Sequence, residues 1–215
     1  MKYDTVIFDL DGTLLYTLED LMESANYVLG KHGLPQKTLE DIRRFIGNGV
    51  RRLMALSIEG GENHPHFEEY LLEFREHYKL NSRNKTKPYD GIEELLRKLR
   101  AAGIKTAVLS NKFDSAVKEL CEYYFSGLFD ISAGEKEGVR KKPYPDLVLS
   151  IIDALHASPE KTVYVGDSEV DIEMSNNSHL DCIAVTWGFR DRETLENCGA
   201  KVFADRPCDI LELIK

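Results

Sequence analysis

The chain has 215 residues, of which 42% are hydrophobic and 30% charged, and its formal net charge is −9. This composition is typical of a globular protein that forms one large domain or a domain with an insertion. The acidic balance predicts no general attraction to nucleic acid or to an anionic membrane, so an anionic ligand needs local cations.

The targeting signals and the cysteine content both bear on the cellular location of the protein. No apolar run approaches the ~20 residues of a membrane span or resembles the core of a secretory signal. The four cysteines include no CxxC pair, which favours a reducing compartment. We therefore expect a cytoplasmic protein with neither a nucleic acid nor a membrane partner, and the sequence leaves the oligomeric state open.

Two patterns of apolar residues follow one another along the chain. A short apolar run at residues 5–8 comes first, and residues 18–80 then carry apolar positions at helical spacing. From Pro88 onward, helical stretches alternate with β-rich runs at residues 106–109, 129–132, 162–165, 182–185 and 201–203. This alternation predicts a parallel sheet covered by helices. Asp90 and Glu93 predict an N-cap with a capping-box acid, and Gly103 suits the end of that helix.

The first run belongs with the later strands, so the helical block is an insertion. We predict an α/β fold, a Rossmann-like parallel sheet core with an inserted all-helical cap domain. The core comprises residues 1–15 and 84–215, and the cap comprises residues 16–83.

Polar residues follow several of the predicted strands. Open α/β sheets bind ligands at the carboxyl ends of their strands, so these residues are expected to share one rim. The candidates are Asp9 and Asp11 after the first strand, Ser110, Asn111 and Lys112 after the second, Lys141 and Lys142 in a later loop, and Asp167 and Asp171 after the fourth.

Four of these segments resemble a known set of motifs. DLDGTL at 9–14, LSNK at 109–112, the turn Lys142-Pro143-Tyr144-Pro145 and GDSEVD at 166–171 are similar, in order and spacing, to the motifs of the haloacid dehalogenase-like superfamily. VTWGFRDRETLENCGA at 185–200 is similar to the phosphoglycolate phosphatase-like branch, which carries a helical cap after the first motif. The resemblance covers nearly the whole chain and is least distinctive in the cap.

The resemblance implies a reaction on a phosphate ester. Asp9 attacks the phosphoryl group and forms an aspartyl-phosphate, and Asp11 acts as general acid and then as base toward water. Lys142 supplies positive charge for the nucleophile and the transferring phosphoryl group, and Lys112 is a further candidate.

Several carboxylates around a phosphate dianion require a cation, and Mg²⁺ prefers hard oxygen ligands. We predict a magnesium site formed by the carboxylates of Asp9 and Asp167. The family pattern adds the backbone carbonyl of Asp11. Asp171 lies four residues after Asp167 and either holds a metal-bound water or orients the loop.

The predicted substrate is a small phosphorylated metabolite, with phosphoglycolate as the first choice. Ser110, Asn111 and the backbone amides that follow are candidates to bind the phosphate. Selectivity is assigned to the cap, where Arg51 and Arg52 follow two glycines at the start of a helix. Neighbouring helical residues point about 100° apart, so one of the two faces the crevice, and we favour Arg51 as the ligand of a substrate carboxylate.

Other hypotheses stay open at this point. A beta-phosphoglucomutase-like phosphomutase uses the same core, and a non-catalytic phosphoaspartate switch or binding protein belongs to a different class. A P-loop protein is a poor alternative because no GxxxxGK[ST] motif occurs. His64 and His66 have a spacing that suggests a metal site, but flanking Pro65 and the acidic residues that follow favour a solvated loop.

Overall fold

The computed structural model describes residues 2–215. Its strands are β1 (Thr5–Phe8), β2 (Leu15–Tyr16), β3 (Lys87–Pro88), β4 (Lys105–Phe113), β5 (Ile131–Glu135), β6 (Thr162–Gly166), β7 (Asp181–Val185) and β8 (Val202–Ala204). Its helices are α1 (Leu18–Lys31), α2 (Leu39–Phe45), α3 (Gly49–Ser57), α4 (Phe67–Asn81), α5 (Ile92–Ala101), α6 (Asp114–Phe125), α7 (Asp146–Ala154), α8 (Glu169–Asn177), α9 (Arg192–Asn197) and α10 (Asp209–Leu213). Single 3₁₀ turns lie at Gly61–Asn63 and Pro159–Lys161.

The chain divides into two compact units, one ending at Leu15 and resuming as Pro88–Lys215, the other Tyr16–Lys87. The predicted boundary after residue 83 therefore falls earlier than this division. The reason is a set of hydrogen bonds to Asp20 on α1, because the backbone amides of Lys85 and Thr86 donate to its carboxylate at 3.0 and 2.9 Å. These bonds keep the segment after α4 within the helical unit.

The α/β unit is built on a six-stranded sheet in the order β5-β4-β1-β6-β7-β8, and every neighbouring pair is parallel. Strand β1 lies in the middle, with Phe8 opposite Val108 on one side and Val165 on the other. Strands buried on both faces are continuous apolar runs, as the segments around β1 and β6 are. The predicted α/β fold class is confirmed.

Alternate residues of the central strand enter two different cores. Phe8 packs in the cluster that includes Leu96 of α5 and Leu120 of α6, whereas Ile7 packs with Val148 of α7 on the opposite face. The period of two along the strand therefore divides the helices between the two faces of the sheet. The sheet is covered on both sides, and its carboxyl edge is the rim toward which the polar residues are expected to converge.

Two local predictions were wrong. The strand predicted at 129–132 begins at Ile131, because Asp130 turns its carboxylate back to accept the Thr106 backbone N–H at 2.8 Å. The predicted N-cap Asp90 is not the cap of α5. Gly91 occupies that position with φ +89° and no side-chain cap, while Gly103 ends the helix with φ +73° as expected.

The unit Tyr16–Lys87 is helical between its terminal strands. Helices α1 and α4 pack together through buried residues such as Leu21, Val28 and Phe74. Helix α2 begins with a capping box, in which Thr38 and Asp41 satisfy each other's backbone amides. Among residues 2–215, no helix combines the length and the apolar character that crossing a bilayer requires. The cytoplasmic location stays a prediction.

Candidate active site

Three neighbouring strands end in polar residues that lie at one edge of the sheet. Asp9 follows β1, Ser110 lies within the carboxyl-terminal part of β4, and Asp167 follows β6. Because β1 lies between β4 and β6, the sheet topology brings these residues together from distant parts of the chain. All three are buried, and burial of the two carboxylates, Asp9 and Asp167, is unusual unless a charged partner or a cation lies close to them.

The centre of this edge is a group of three buried carboxylates. Asp9, Asp167 and Asp171 each offer an oxygen, and these oxygens lie within 4.8 Å of one another. Burial raises the pKa of Asp9 to about 7, although Lys142 opposes the shift. Burial, followed by the charges of Asp171 and Asp9, raises the pKa of Asp167 well above its ordinary value. Clustered buried carboxylates are stable when a cation neutralises them, so the donor set fits a hard divalent ion.

Lys142 is the cation that the protein itself places among these acids. Its Nζ lies 2.9 Å from Asp9 Oδ1, 2.7 Å from Asp171 Oδ1 and 3.0 Å from the hydroxyl of Tyr164. Burial alone would lower the pKa of Lys142, but Asp171 and Asp9 raise it above its ordinary value. The ammonium therefore stays charged, donates hydrogen bonds to Asp171 and Tyr164, and forms an ion pair with Asp9.

Tyr164 is a site residue that the sequence analysis missed. Its side chain is fully buried, and its hydroxyl donates to the Leu109 carbonyl at 2.9 Å while accepting from Lys142. An aromatic residue within an apolar strand predicts core packing, and the ring does pack there. The one available signal was the choice of tyrosine over phenylalanine, since a buried phenol needs a hydrogen-bond partner.

Asp171 has both carboxylate oxygens occupied. Oδ1 accepts from Lys142, and Oδ2 accepts from the backbone N–H and the hydroxyl of Ser168 at 3.1 and 2.6 Å. These contacts form the capping box that begins α8. The geometry therefore fits the orienting role among the two roles predicted for Asp171, and one of its oxygens also lies within the group of clustered acids.

Asp167 is enclosed on several sides. Oδ1 accepts from the Thr13 hydroxyl at 3.2 Å, and Oδ2 accepts from the Phe189 backbone N–H at 2.7 Å. A Cβ added to Gly12 or Gly188 would overlap the Asp167 side chain, so both positions require glycine. The first motif and the TWGF segment thus pack directly on this carboxylate.

Asp11 points to a different partner. Both of its carboxylate oxygens lie close to Lys112 Nζ, at 2.9 and 3.0 Å. The side chain of Asp11 is 13% exposed, whereas that of Lys112 is 2% exposed. The Asp11 carboxylate pairs with Lys112 rather than joining the three clustered acids. The use of its backbone carbonyl as a metal ligand stays a prediction.

Ser110 and Asn111 make hydrogen bonds to backbone groups at this edge of the sheet. The Ser110 hydroxyl accepts the Lys112 backbone N–H at 3.2 Å, and Asn111 Nδ2 donates to the Lys142 carbonyl at 3.0 Å. Asn111 thereby anchors the loop that carries Lys142. The predicted contacts of Ser110 and Asn111 with a substrate phosphate stay predictions.

Arg51 lies in the helical unit, where two acids hold it. Its guanidinium contacts Glu62 at 3.0 Å and Glu68 at 2.7 and 2.8 Å, and it lies over the ring of Phe67. Neighbouring Arg52 is exposed. No local sequence pattern predicts the contacts of Arg51 with the two glutamates, and its contact with substrate stays a prediction.

Comparison with known proteins identifies the family. The sequence profile of the haloacid dehalogenase-like hydrolases matches residues 6–185. A phosphoglycolate phosphatase of Aquifex aeolicus (strain VF5) is 32% identical over 210 residues, which cover 97% of this chain and 95% of that protein. An N-acetylmuramic acid 6-phosphate phosphatase of Pseudomonas aeruginosa is 29% identical, with 100% of this chain and 96% of that protein covered.

A solved structure agrees with these relatives. A candidate phosphoglycolate phosphatase from Lactobacillus delbrueckii subsp. bulgaricus is 37% identical, with a TM-score of 0.91 over 100% of this chain and 99% of that one. The predicted enzyme class, a phosphoric monoester hydrolase, is confirmed by these similarities. The chain belongs to the haloacid dehalogenase-like hydrolase family, in its phosphoglycolate phosphatase-like branch.

Proposed function

We propose that the enzyme is a magnesium-dependent phosphatase that hydrolyses a small carboxylated phosphate ester, with phosphoglycolate as the first choice. The observation that carries this proposal is the Asp9 carboxylate, which lies at the carboxyl end of the central strand beside Lys142 and two further buried acids. A nucleophile at this position is oriented by a central strand that is hydrogen-bonded to a neighbour on each side. Its charged partner keeps it in place for attack.

The reaction proceeds in two displacements. A carboxylate oxygen of Asp9 attacks phosphorus while the bond to the ester oxygen breaks, and that oxygen takes a proton from Asp11. Water then attacks phosphorus in the aspartyl-phosphate. Its proton passes to Asp11 as the bond between phosphorus and the Asp9 oxygen breaks. Lys142 stays positively charged throughout and stabilises negative charge on the nucleophile and on the transferring group.

The residues that would hold Mg²⁺ are the carboxylates of Asp9 and Asp167 and the backbone carbonyl of Asp11. Asp171 orients this set through Ser168 and Lys142. When bound, the ion neutralises charge on the phosphoryl oxygens. Thr13 and the Phe189 amide hold Asp167 in position whether or not the ion is bound.

The names of two relatives support a carboxylated substrate. Phosphoglycolate and N-acetylmuramic acid 6-phosphate are both phosphate esters of carboxylic acids. Arg51 is the proposed carboxylate ligand, since a guanidinium binds carboxylates through two parallel hydrogen bonds. Glu62 accepts from Nη1 of Arg51 and Glu68 accepts from Nη2, so a substrate carboxylate would exchange with them.

Phosphate release from a panel of phosphate monoesters, with and without Mg²⁺, tests the proposal. We expect carboxylated esters to rank first, activity to vanish in excess chelator, and Asp9→Asn to abolish both turnover and the phosphoenzyme. Full activity in chelator, or normal turnover of Asp9→Asn, would contradict the mechanism. A phosphoenzyme that transfers phosphate to a sugar faster than to water would instead indicate a phosphomutase, and one that resists hydrolysis would indicate a switch.

A further inference from the structure

Lys112 is a buried cation to which the proposed reaction gives no task. Its side chain is 2% exposed, and its Nζ contacts both carboxylate oxygens of Asp11. Contact with two oxygens fixes the direction of a carboxylate as well as its place, because rotation about the terminal bond would break one contact. The pair spans 101 residues of sequence, so it exists only when β1 and β4 are paired.

The backbone, and not the ion pair alone, sets the place of Lys112. Strand β4 shifts its register against β5 between Leu109 and Phe113. In this segment the Lys112 carbonyl approaches Gly134 of β5 so closely that a Cβ on Gly134 would overlap it. A glycine in β5 therefore permits the close approach that orients the end of β4.

We propose that Lys112 is a positioning residue, which holds the Asp11 carboxylate in the direction needed for proton exchange with the leaving group and with water. This inference rests on the proposed phosphatase function. Because Lys112 acts through Asp11, its loss slows the steps in which Asp11 moves a proton. It leaves unchanged the binding of substrate and the attack of Asp9 on an ester whose leaving group needs no proton.

The leaving group separates this role from direct binding of phosphate. An alkoxide leaves only as its oxygen accepts the Asp11 proton, whereas 2,4-dinitrophenolate is stable as an anion and leaves without one. In both cases Asp9 forms its bond to phosphorus as the ester bond breaks. A lysine that contacted the phosphoryl group would accelerate both reactions, while one that acts through Asp11 affects the alkyl ester.

The test is rapid-quench kinetics of the full chain with phosphoglycolate and with 2,4-dinitrophenyl phosphate. For Lys112→Met, we expect the rate of the dinitrophenolate burst to stay within about threefold of wild type. The dissociation constants of both esters, taken from the concentration dependence of the pre-steady-state phase, should also stay within about threefold, since uniform binding is retained. Phosphorylation by the alkyl ester and hydrolysis of the phosphoenzyme should fall about 10–100-fold, a part of the ~10²–10⁴-fold that general acid–base catalysis supplies.

Three further variants sharpen the result. Lys112→Arg keeps a charge that can bind both Asp11 oxygens, and it should recover most of the lost rate. In an Asp11→Asn background, Lys112→Met should cause no additional loss, because both changes remove one function. Lys118→Met is the control, since Lys118 is exposed on α6 and pairs with Asp114.

The opposite results are equally clear. A burst slowed as much as the alkyl reaction, a raised dissociation constant for both esters, or an added loss in the Asp11→Asn background would overturn the inference. So would unchanged alkyl turnover in Lys112→Met. If that variant does not fold, Lys112→Gln is judged by the same criteria. Failure of the phosphatase proposal is distinguishable, because the wild-type chain would then release no phosphate from either ester.

Discussion

At the residue scale, the neighbours of Lys142 keep a buried ammonium group charged and fix its direction. This ammonium group donates hydrogen bonds to Asp171 and Tyr164 and forms an ion pair with Asp9. Two of these partners are charged, while the third is a neutral phenol whose own proton is directed to the Leu109 carbonyl. The phenol fixes the direction of the ammonium without adding negative charge to an already acidic site.

Tyr164→Phe should therefore lower activity without removing any charged group. The change leaves a buried N–H of Lys142 and the Leu109 carbonyl without their partner, which costs about 1–3 kcal/mol for each unsatisfied group. We expect kcat to fall roughly tenfold while Lys142 keeps its charge. Steady-state kinetics with the best substrate provides the measurement.

The matched control is Tyr3→Phe. The Tyr3 hydroxyl donates to Asp181 at the other end of the strands, so its removal also deletes one phenol hydrogen bond. We expect Tyr3→Phe to lower the unfolding midpoint and to leave kcat unchanged. Equal loss of kcat in the two variants would show that Tyr164 acts only through stability.

A second residue-scale prediction concerns substrate choice. Arg51→Ala should reduce kcat/KM for a carboxylated ester by roughly tenfold or more, because a bidentate charged contact is lost, and should leave an aryl phosphate nearly unchanged. Arg52→Ala is the control, since Arg52 is the exposed neighbour on α3. Unchanged substrate preference in both variants would assign selectivity to another part of the chain.

At the element scale, Asp20 connects the beginning of the helical unit to its end. This carboxylate is 1% exposed on α1, and it accepts the backbone N–H groups of Lys85 and Thr86 and the Thr86 hydroxyl. The segment between α4 and β3 has no helix of its own to satisfy these amides. One side chain on α1 therefore accepts the backbone hydrogen bonds that a neighbouring strand would otherwise accept.

Asp20→Ala should destabilise the protein by about 2–4 kcal/mol, because hydrogen bonds to a charged acceptor are worth about 1.5–3 kcal/mol each and buried donors lose their partner. Guanidinium unfolding gives the measurement. The control is Glu19→Ala, which removes an exposed ion pair with Lys85 worth less than about 1 kcal/mol. A loss no greater than that of Glu19→Ala would exclude a structural role for Asp20.

Individual elements also show which parts of the structure can be predicted from the sequence. Strands β1 and β6 were predictable because a strand buried on both faces must be apolar, and their polar successors were predictable because parallel strands end at one edge. The start of β5 was not, since it depends on Asp130 reaching back to Thr106. The roles of Tyr164 and Lys112 depend on side-chain partners far away in sequence, and no local pattern encodes those pairings.

At the scale of the whole molecule, the buried acids link stability to pH and to metal. The raised pKa of Asp9, about 7 in the folded chain, means that the folded protein retains a proton that the unfolded chain has already released. The metal-free protein should therefore lose stability as the pH rises through about 7. A bound divalent ion reverses this effect, because it requires the carboxylate form.

Thermal unfolding with and without Mg²⁺ at pH 6 and pH 8 measures this linkage. At a concentration one hundred times its Kd, the ion should stabilise the fold by about 2.7 kcal/mol, or roughly 5–10 °C in Tm for a chain of this size. The shift at a fixed Mg²⁺ concentration should be larger at pH 8 than at pH 6. In Asp167→Ala it should be nearly absent, and an equal shift in that variant would place the ion elsewhere.

The two glycines that enclose Asp167 have a thermodynamic consequence. Neither Gly12 nor Gly188 leaves room for a Cβ, and Thr13 and Phe189 hold the two carboxylate oxygens. A carboxylate confined in this way loses its rotational freedom when the chain folds and not when a ligand binds. Binding of a cation by Asp167 then needs no further ordering of this side chain, so that part of the entropic cost of binding is already met on folding.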